Sequence, residues 1–541
     1  PNDLSPVPDE PLPPIGTLGF RVQRYGMLHW GDLFTARQKL AMMRLTDELR
    51  VRTANLSRAI AELLALAIGK TADLGNSGSP WKPGAECPVH LFSSQKIPPL
   101  WDWAEAVVTA DSSGSFSSAY ERSATTIDSA FSFPYGAASS ALADAKDTGF
   151  QQSAVGVWFT DPPYYDAIPY SDLSDFFFVW LKRALHPHPL LRDPFDGLNT
   201  LTPKDQEIVQ DEVRKVNGRP KSRIFFEESM AVAFAEGRRV LTVHGIGCVV
   251  FAHKTTEGWE ALLSGLIAGG WTITGSWPIA TEMASRLRAR DSAALATSVH
   301  LVCRPRPADA GVGDWVKVLR ELPRRVGDWM ERLQTEGIRG ADLVFACIGP
   351  ALEIYSRYSK VETPEGREVK LPESLEKVWE VVGRTAIEQV LGTAEARARN
   401  SAAGVLQEDA RLTALFLWTL QATSHAPAND QSPENDEEPE EDDEEPQNGK
   451  KKPGFSLIYD VVRRFAQPLG IHLEDWEGRI IETKKGVVRL LPIRERAPRL
   501  FGEGGAALAA DRIERAPSGA TQLQLVFDEL AAVPEIRPRG R

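Results

Sequence analysis

The run Val155-Gly156-Val157-Trp158-Phe159, followed at once by Thr160-Asp161-Pro162-Pro163-Tyr164-Tyr165-Asp166, constrains this chain more than any other segment. It is too short for a stable helix. Two consecutive prolines can continue neither a helix nor a sheet ladder, so the run reads as a short buried strand of a parallel sheet. In open α/β sheets ligands bind at the carboxyl ends of such strands, and a rigid polar turn is delivered there. The expected fold class is α/β.

The downstream pattern extends that expectation. Ser174 to Leu185 is aromatic-rich and helix-like, and a proline-rich loop then runs past Leu201-Thr202-Pro203-Lys204. Phe225 to Val240 reads as a helix, Gly247 to His253 as a buried strand, and Trp259 to Ile267 as an amphipathic helix stopped by Gly269-Gly270. Trp271 to Trp277 and Ser298 to Arg304 read as two closing strands. Strand, helix, strand, helix, strand, strand is the order of the second half of a doubly wound sheet that ends in an antiparallel strand.

Around this block the chain divides by composition. Residues 1–16 are proline-rich and read as a disordered start, 17–125 as mainly helical, with Leu33 to Ile68 carrying a helical period, and 126–308 as the sheet block. Residues 309–425 read as mainly helical, 426–453 as a disordered acidic linker, and 454–541 as a small α/β module with a basic tail. In the last module Phe455 to Leu469 reads as helix and Gly486 to Leu491 as strand. The formal charge of −12 is concentrated: eleven acidic residues lie between Asp430 and Glu445, ahead of Lys450, Lys451 and Lys452. The rest is nearly neutral, so the overall sign does not argue against a polyanionic partner.

Cys87, Cys248, Cys303 and Cys347 stand alone, with no C-x-x-C pair, which argues against a disulfide framework or a zinc site and favours a reducing cytoplasm. Ala59 to Ile68 is the longest strongly apolar stretch and is too short to span a bilayer, and no signal peptide is evident. The chain opens with Pro1 rather than Met, which suggests a fragment, a processed product or one piece of a split protein.

The turn's residue types suit one chemistry. The exocyclic amine of a nucleobase is a poor nucleophile because its lone pair is delocalised into the ring. An aspartate can accept one N–H. The carbonyl of Pro162 can accept the other, and the Pro-Pro pair fixes its direction while offering no competing donor. Tyr164 would stack on a base rotated out of its duplex, with Tyr165, Asp166 and Tyr170 lining the pocket. Methylation at a ring carbon would need a cysteine nucleophile, typically after a proline, and no Pro-Cys pair occurs.

These blocks add up to a resemblance. Asp161 to Asp175 (DPPYYDAIPYSDLSD), Val249 to Lys254 (VVFAHK), Trp277 to Glu282 (WPIATE) and Gly349 to Leu352 (GPAL) resemble the large adenine-specific DNA methylases with an N-terminal domain of unknown function. Leu33 to Leu40 (LFTARQKL), Leu100 to Glu105 (LWDWAE) and Leu201 to Lys204 (LTPK) extend the match over most of residues 18–385 and again over 454–500. The resemblance implies a class I, Rossmann-like methyltransferase sheet, S-adenosylmethionine as cofactor, DNA as substrate, and a phage-defence or restriction-modification-like context with other defence proteins as neighbours. It makes Asp161, Pro162, Pro163 and Tyr164 the catalytic turn. In that family a D-P-F-A-G-G-G-type cofactor loop and a zinc-ribbon-like region precede the part resembling Phe34-Thr35. Neither is found here, so the chain reads as the carboxyl-terminal, catalytic half of the sheet, with cofactor-binding residues unassigned.

Without a first half, the strand before Asp161 has an open edge, which native sheets cover. A missing N-terminal half or a partner subunit is the expected cover; a permuted order, with Leu343 to Pro350 as a displaced first strand, is the internal alternative. Arg286, Arg288 and Arg290, with Arg304 and Arg306 on the adjoining strand, form the densest basic patch of the sheet block and are the candidate phosphate contacts. Gly69-Lys70-Thr71 lacks the leading glycine of a phosphate loop, because position 64 is Leu64. His253 reads as a core histidine. His186 and His188 flank Pro187 without metal-site spacing, and methyl transfer needs no metal. A non-catalytic DNA-docking half and an RNA amino-methyltransferase are the rival readings.

Overall fold

The computed structural model describes residues 4–280, 297–391, 412–413 and 456–499, apart from 94, 132–135, 137, 167, 254, 337, 339, 467–470, 485–486, 492–494 and 497. Contacts divide the chain into two compact units, residues 1–149 with 163–229, and residues 150–162 with 230–541.

The first unit is mainly helical. Thr35 caps α1 (Ala36–Arg52) through a reciprocal pair with Gln38, and Ser57 caps α2 (Arg58–Leu74), so the single helical period expected over 33–68 is cut at 53–57. A short β1–β2 ladder (Trp81–Lys82, Cys87–Pro88) and α3 (Phe116–Phe131) follow. The core forms where α1 and α2 pack on α4 (Tyr170–Ala184), a helix that comes much later in the chain. Phe34 stacks on Phe176 at 5.7 Å and meets Trp180 edge-on at 5.3 Å.

The opening segment departs from the disorder its prolines suggested. Leu12 is buried in this core, and Glu10 sits between Lys182 Nζ at 2.5 Å and Arg183 Nη1 at 2.9 Å. Burial alone would raise the Glu10 carboxyl, but the hydrogen bonds and charges of Arg183 and Lys182 outweigh it and hold the group below the ordinary carboxylate range. Composition does not show such pairing, because the partners lie about 170 residues away.

The second unit is built on a four-stranded mixed sheet. β3 (Val155–Thr160) occupies one edge and runs parallel to β6 (Leu241–Phe251). The intervening stretch holds a hairpin of β4 (Asp211–Val216) and β5 (Arg219–Lys221), which belongs to the first unit, and α5 (Arg223–Val240). α6 (Thr256–Ala268), capped by Thr255 and stopped where Gly270 turns left-handed at φ +83°, leads into β7 (Trp271–Ala280). β8 (Thr297–Pro305) then inserts between β6 and β7, antiparallel to both, so the order is β3-β6-β8-β7. One face of the sheet is dry. Trp158 lies 5.2 Å from Trp271 in a stacked pair, and both pack around Phe234 of α5.

β9 (Val312–Asp314) and α7 (Trp315–Thr335) come next. α8 (Gly340–Ser356) covers β7 and packs on α7, β10 (Lys360–Glu362) pairs with β9, and α9 (Leu371–Leu391) joins the same helical layer. Leu343 to Pro350 is thus helical, and the permuted-strand alternative falls. An apolar run of that length reads equally as buried helix or buried strand. At the carboxyl side, β11 (Ser456–Ile458), α10 (Tyr459–Ala466), α11 (Leu473–Trp476), β12 (Ile481–Lys484) and β13 (Val487–Leu490) form a small α/β layer around Trp476 and Val488. Its helix is shorter than expected, since residues 456–458 pair with β13 instead. Among the described residues no helix is long and apolar enough to cross a membrane. The acidic linker and the basic tail lie outside them.

Candidate active site

β3 delivers the Asp-Pro-Pro turn at its carboxyl end. Its last residue, Thr160, pairs with Val249 of β6, and the chain leaves the sheet at Asp161, which is exposed, and Pro162, which is buried. Beyond Pro163 the backbone tightens: the Tyr165 N–H donates to the Pro163 carbonyl at 3.0 Å, and Tyr165 takes φ +60°. A non-glycine residue in the left-handed region costs about 1–3 kcal/mol and persists only where its surroundings enforce it. Here the Tyr165 ring is only 4 % exposed and meets Phe226 edge-on at 5.1 Å, while its carbonyl accepts the Gln210 N–H at 3.0 Å.

The four expected pocket residues therefore divide. Tyr165 is buried, with its ring packed edge-on against Phe226. Tyr164 is half-buried, and Asp166 and Tyr170 are exposed. Pro162 is buried and Pro163 half-buried.

The first unit holds a polar network that local sequence pattern does not show. Ser171 donates its backbone N–H to Glu207 at 2.8 Å and its hydroxyl at 2.5 Å. Asp175, fully buried one helical turn later, accepts from Thr202 N–H at 2.9 Å and Thr202 Oγ1 at 2.7 Å and pairs with Lys204 Nζ at 2.8 Å. Arg214 Nη2 reaches both carboxylate oxygens of Asp172 at 2.9 Å. Lys221, 1 % exposed, donates to the carbonyls of Glu207 at 2.7 Å and of Lys204, with its ammonium over the Phe225 ring. Burial dominates the electrostatics. It raises the carboxyls of Asp175 and Glu207 despite their hydrogen bonds and lowers the Lys221 ammonium to about 8.

The sequence blocks singled out earlier meet in pairs. The run through Ser171 and Asp175 meets LTPK through Asp175, Thr202 and Lys204. LFTARQKL meets LWDWAE through Glu105, which accepts from Thr35 Oγ1 and Arg37 Nε at 2.5 Å each. Just ahead of WPIATE, the Ser276 Cβ would lie 2.7 Å from a Cβ on Gly349, the first residue of GPAL, and the Ser276 hydroxyl bonds the Ala346 carbonyl. In each case a short run is held by a residue far from it in sequence.

Other candidates resolve differently. Arg286, Arg288 and Arg290 lie outside the described residues. Arg304 and Arg306 do not act as a free patch: Arg304 bonds the carbonyls of His244 and Gly245, and Arg306 those of Ile267 and Ser356. His253 is buried and its ring contacts Thr255; Lys254 lies outside the described residues. His188 pairs with Glu62. Gly69, Lys70 and Thr71 sit inside α2, where Lys70 and His90 meet Asp73. Among the described residues no group of His, Cys, Asp and Glu could hold a metal, and the four cysteines are free, two of them buried.

No family model, curated protein or solved structure matches this chain.

Proposed function

We propose that the chain is a DNA amino-methyltransferase that acts on adenine, with S-adenosylmethionine as methyl donor. The observation that carries this reading is the strand order β3-β6-β8-β7, a parallel pair continued by an inserted antiparallel strand, with Asp-Pro-Pro-Tyr at the carboxyl end of β3. It supports the class I methyltransferase reading because a crevice at that strand end is where such sheets do chemistry.

In this reading the chain's own residues hold the amine. The Asp161 carboxylate accepts one N–H and the Pro162 carbonyl the other, which localises the nitrogen lone pair toward the methyl donor; Tyr164 stacks on the extruded base. The donor supplies an electrophilic methyl on a sulfonium. No glycine-rich turn in this sequence fits its binding, and no residue is assigned to it. The amine's proton leaves after transfer, so Asp161 serves as acceptor and orienter and no covalent intermediate forms.

A second reading has its own observation. Val157 and Phe159, on one face of the edge strand, are 63 % and 62 % exposed, and β3 has no neighbour beyond it among the described residues. Parallel sheets are normally covered on both faces, so this favours a half-sheet completed by a partner that carries the cofactor loop. The two readings separate on one experiment: digestion of treated DNA to nucleosides. N6-methyl-2′-deoxyadenosine made by the chain alone supports an autonomous enzyme, and its appearance only with a partner supports the half-sheet.

A further inference from the structure

The hairpin β4–β5 is not needed to complete the sheet. Its turn, Asn217 at φ +51° and Gly218 at φ +77°, is the two-residue type that matches the twist of paired strands. Both ends of the ribbon are tied to the first unit, which also holds Pro163 to Tyr165. At the start, Gln210 N–H bonds the Tyr165 carbonyl, and Arg214 clamps Asp172; at the end, buried Lys221 bonds the carbonyls of Lys204 and Glu207. The distal part is bare. Val213, Lys215, Asn217, Gly218, Arg219 and Pro220 are exposed, no acidic residue lies among them, and neither Lys215 nor Arg219 has a hydrogen-bond or ion-pair partner among the described residues.

We infer that this hairpin is a duplex-DNA contact that positions the substrate beside the Tyr164–Tyr165 turn, an inference that rests on the methyltransferase reading. Extruding a base leaves the flanking duplex to be held, and a two-stranded ribbon is one of the shapes the major groove admits. Beyond clamped Arg214 and buried Lys221 about three residues of each strand project, roughly 10 Å at about 3.3 Å per residue, a tip narrow enough to enter a groove about 12 Å wide. Lys215 and Arg219 flank the turn, where they neutralise phosphates. The rigid base converts that grip into register at the Tyr165 turn.

The test is the salt dependence of duplex binding by the full chain, read by fluorescence anisotropy on an unmethylated labelled duplex. The variant pair Lys215→Ala with Arg219→Ala is compared with the charge-retaining pair Lys215→Arg with Arg219→Lys, and circular dichroism confirms that each is folded. Each phosphate contact contributes about 0.9 to the slope of log affinity against log salt, so the alanine pair lowers that slope by about 2 and weakens binding about 10-fold or more at low salt, while the exchange pair keeps both. Equal slopes for wild type and the alanine pair would overturn the hairpin assignment and leave the methyltransferase reading standing. Failure of the wild-type chain to bind duplex overturns both, and preference for single-stranded RNA over the duplex overturns the choice of DNA.

Discussion

The indole of Trp158 lies over Gly237, so closely that a Cβ at 237 would fall inside the ring's van der Waals envelope. This contact sets β3 against α5, and through β3 it sets where Asp161 leaves the sheet. Only glycine fits there, in the last turn of that helix, although it costs up to about 1 kcal/mol of helix propensity.

Gly237→Ala should therefore destabilise. The propensity gain of about 1 kcal/mol is set against overpacking, which costs typically 1–3 kcal/mol, so a net loss of up to about 2 kcal/mol is expected in urea unfolding. Trp158→Phe in the same chain should recover part of it. Additive losses in the double variant would show that the two residues do not share the contact.

Lys221 carries a pH term with a definite sign. Its ammonium is held at about 8 against an ordinary 10.5, because burial disfavours the charge. Between those values the unfolded chain binds more protons than the folded one, so stability rises with pH across that window. The gap converts to at most roughly 3 kcal/mol. Lys221→Met should flatten the rise between pH 8 and 10.5 in chemical denaturation, and an unchanged profile would mean that the ammonium is not desolvated.

The exposed face of β3 gives a solubility prediction. Phe159→Glu should leave the melting temperature within about 2 °C, since the side chain is mostly in water, and should reduce concentration-dependent association read by analytical ultracentrifugation. The same substitution should abolish any stimulation by a partner that completes the sheet. A large loss of stability would show that Phe159 is buried by the chain itself.

Much of the second unit was legible because its strands carry apolar runs stopped by clear punctuation, although β6 begins at Leu241, six residues ahead of the expected Gly247. Asp161-Pro162 ends β3, Gly269-Gly270 ends α6, and Trp271 and Ser298 fall at or within one residue of the starts of β7 and β8. The run Leu343 to Pro350 misled because uniform hydrophobicity carries no period, and Pro350 is tolerated within the helix. Burial of Glu10 and Leu12, and the network that joins Ser171, Asp175, Lys204, Glu207 and Lys221, depend on pairings across tens of residues that local pattern does not encode. Asn217-Gly218 was different. That dipeptide between Val216 and Arg219 is a direct hairpin signal and was available from the sequence. Of the candidate site, the Asp-Pro-Pro turn was readable, whereas the inward packing of Tyr165 was set by Phe226, sixty-one positions later.

Transfer of a labelled methyl group from S-adenosylmethionine to unmethylated DNA tests the central claim most directly. It is run with the chain alone, with the polypeptide encoded immediately upstream added, and with Asp161→Ala in each case. Label should enter adenine in at least one wild-type condition and fall at least a thousandfold with Asp161→Ala, whose circular dichroism and melting stay unchanged because Asp161 is exposed. Label entering DNA equally with Asp161→Ala, or in none of the conditions, would contradict the assignment of this turn as a methyltransferase active site.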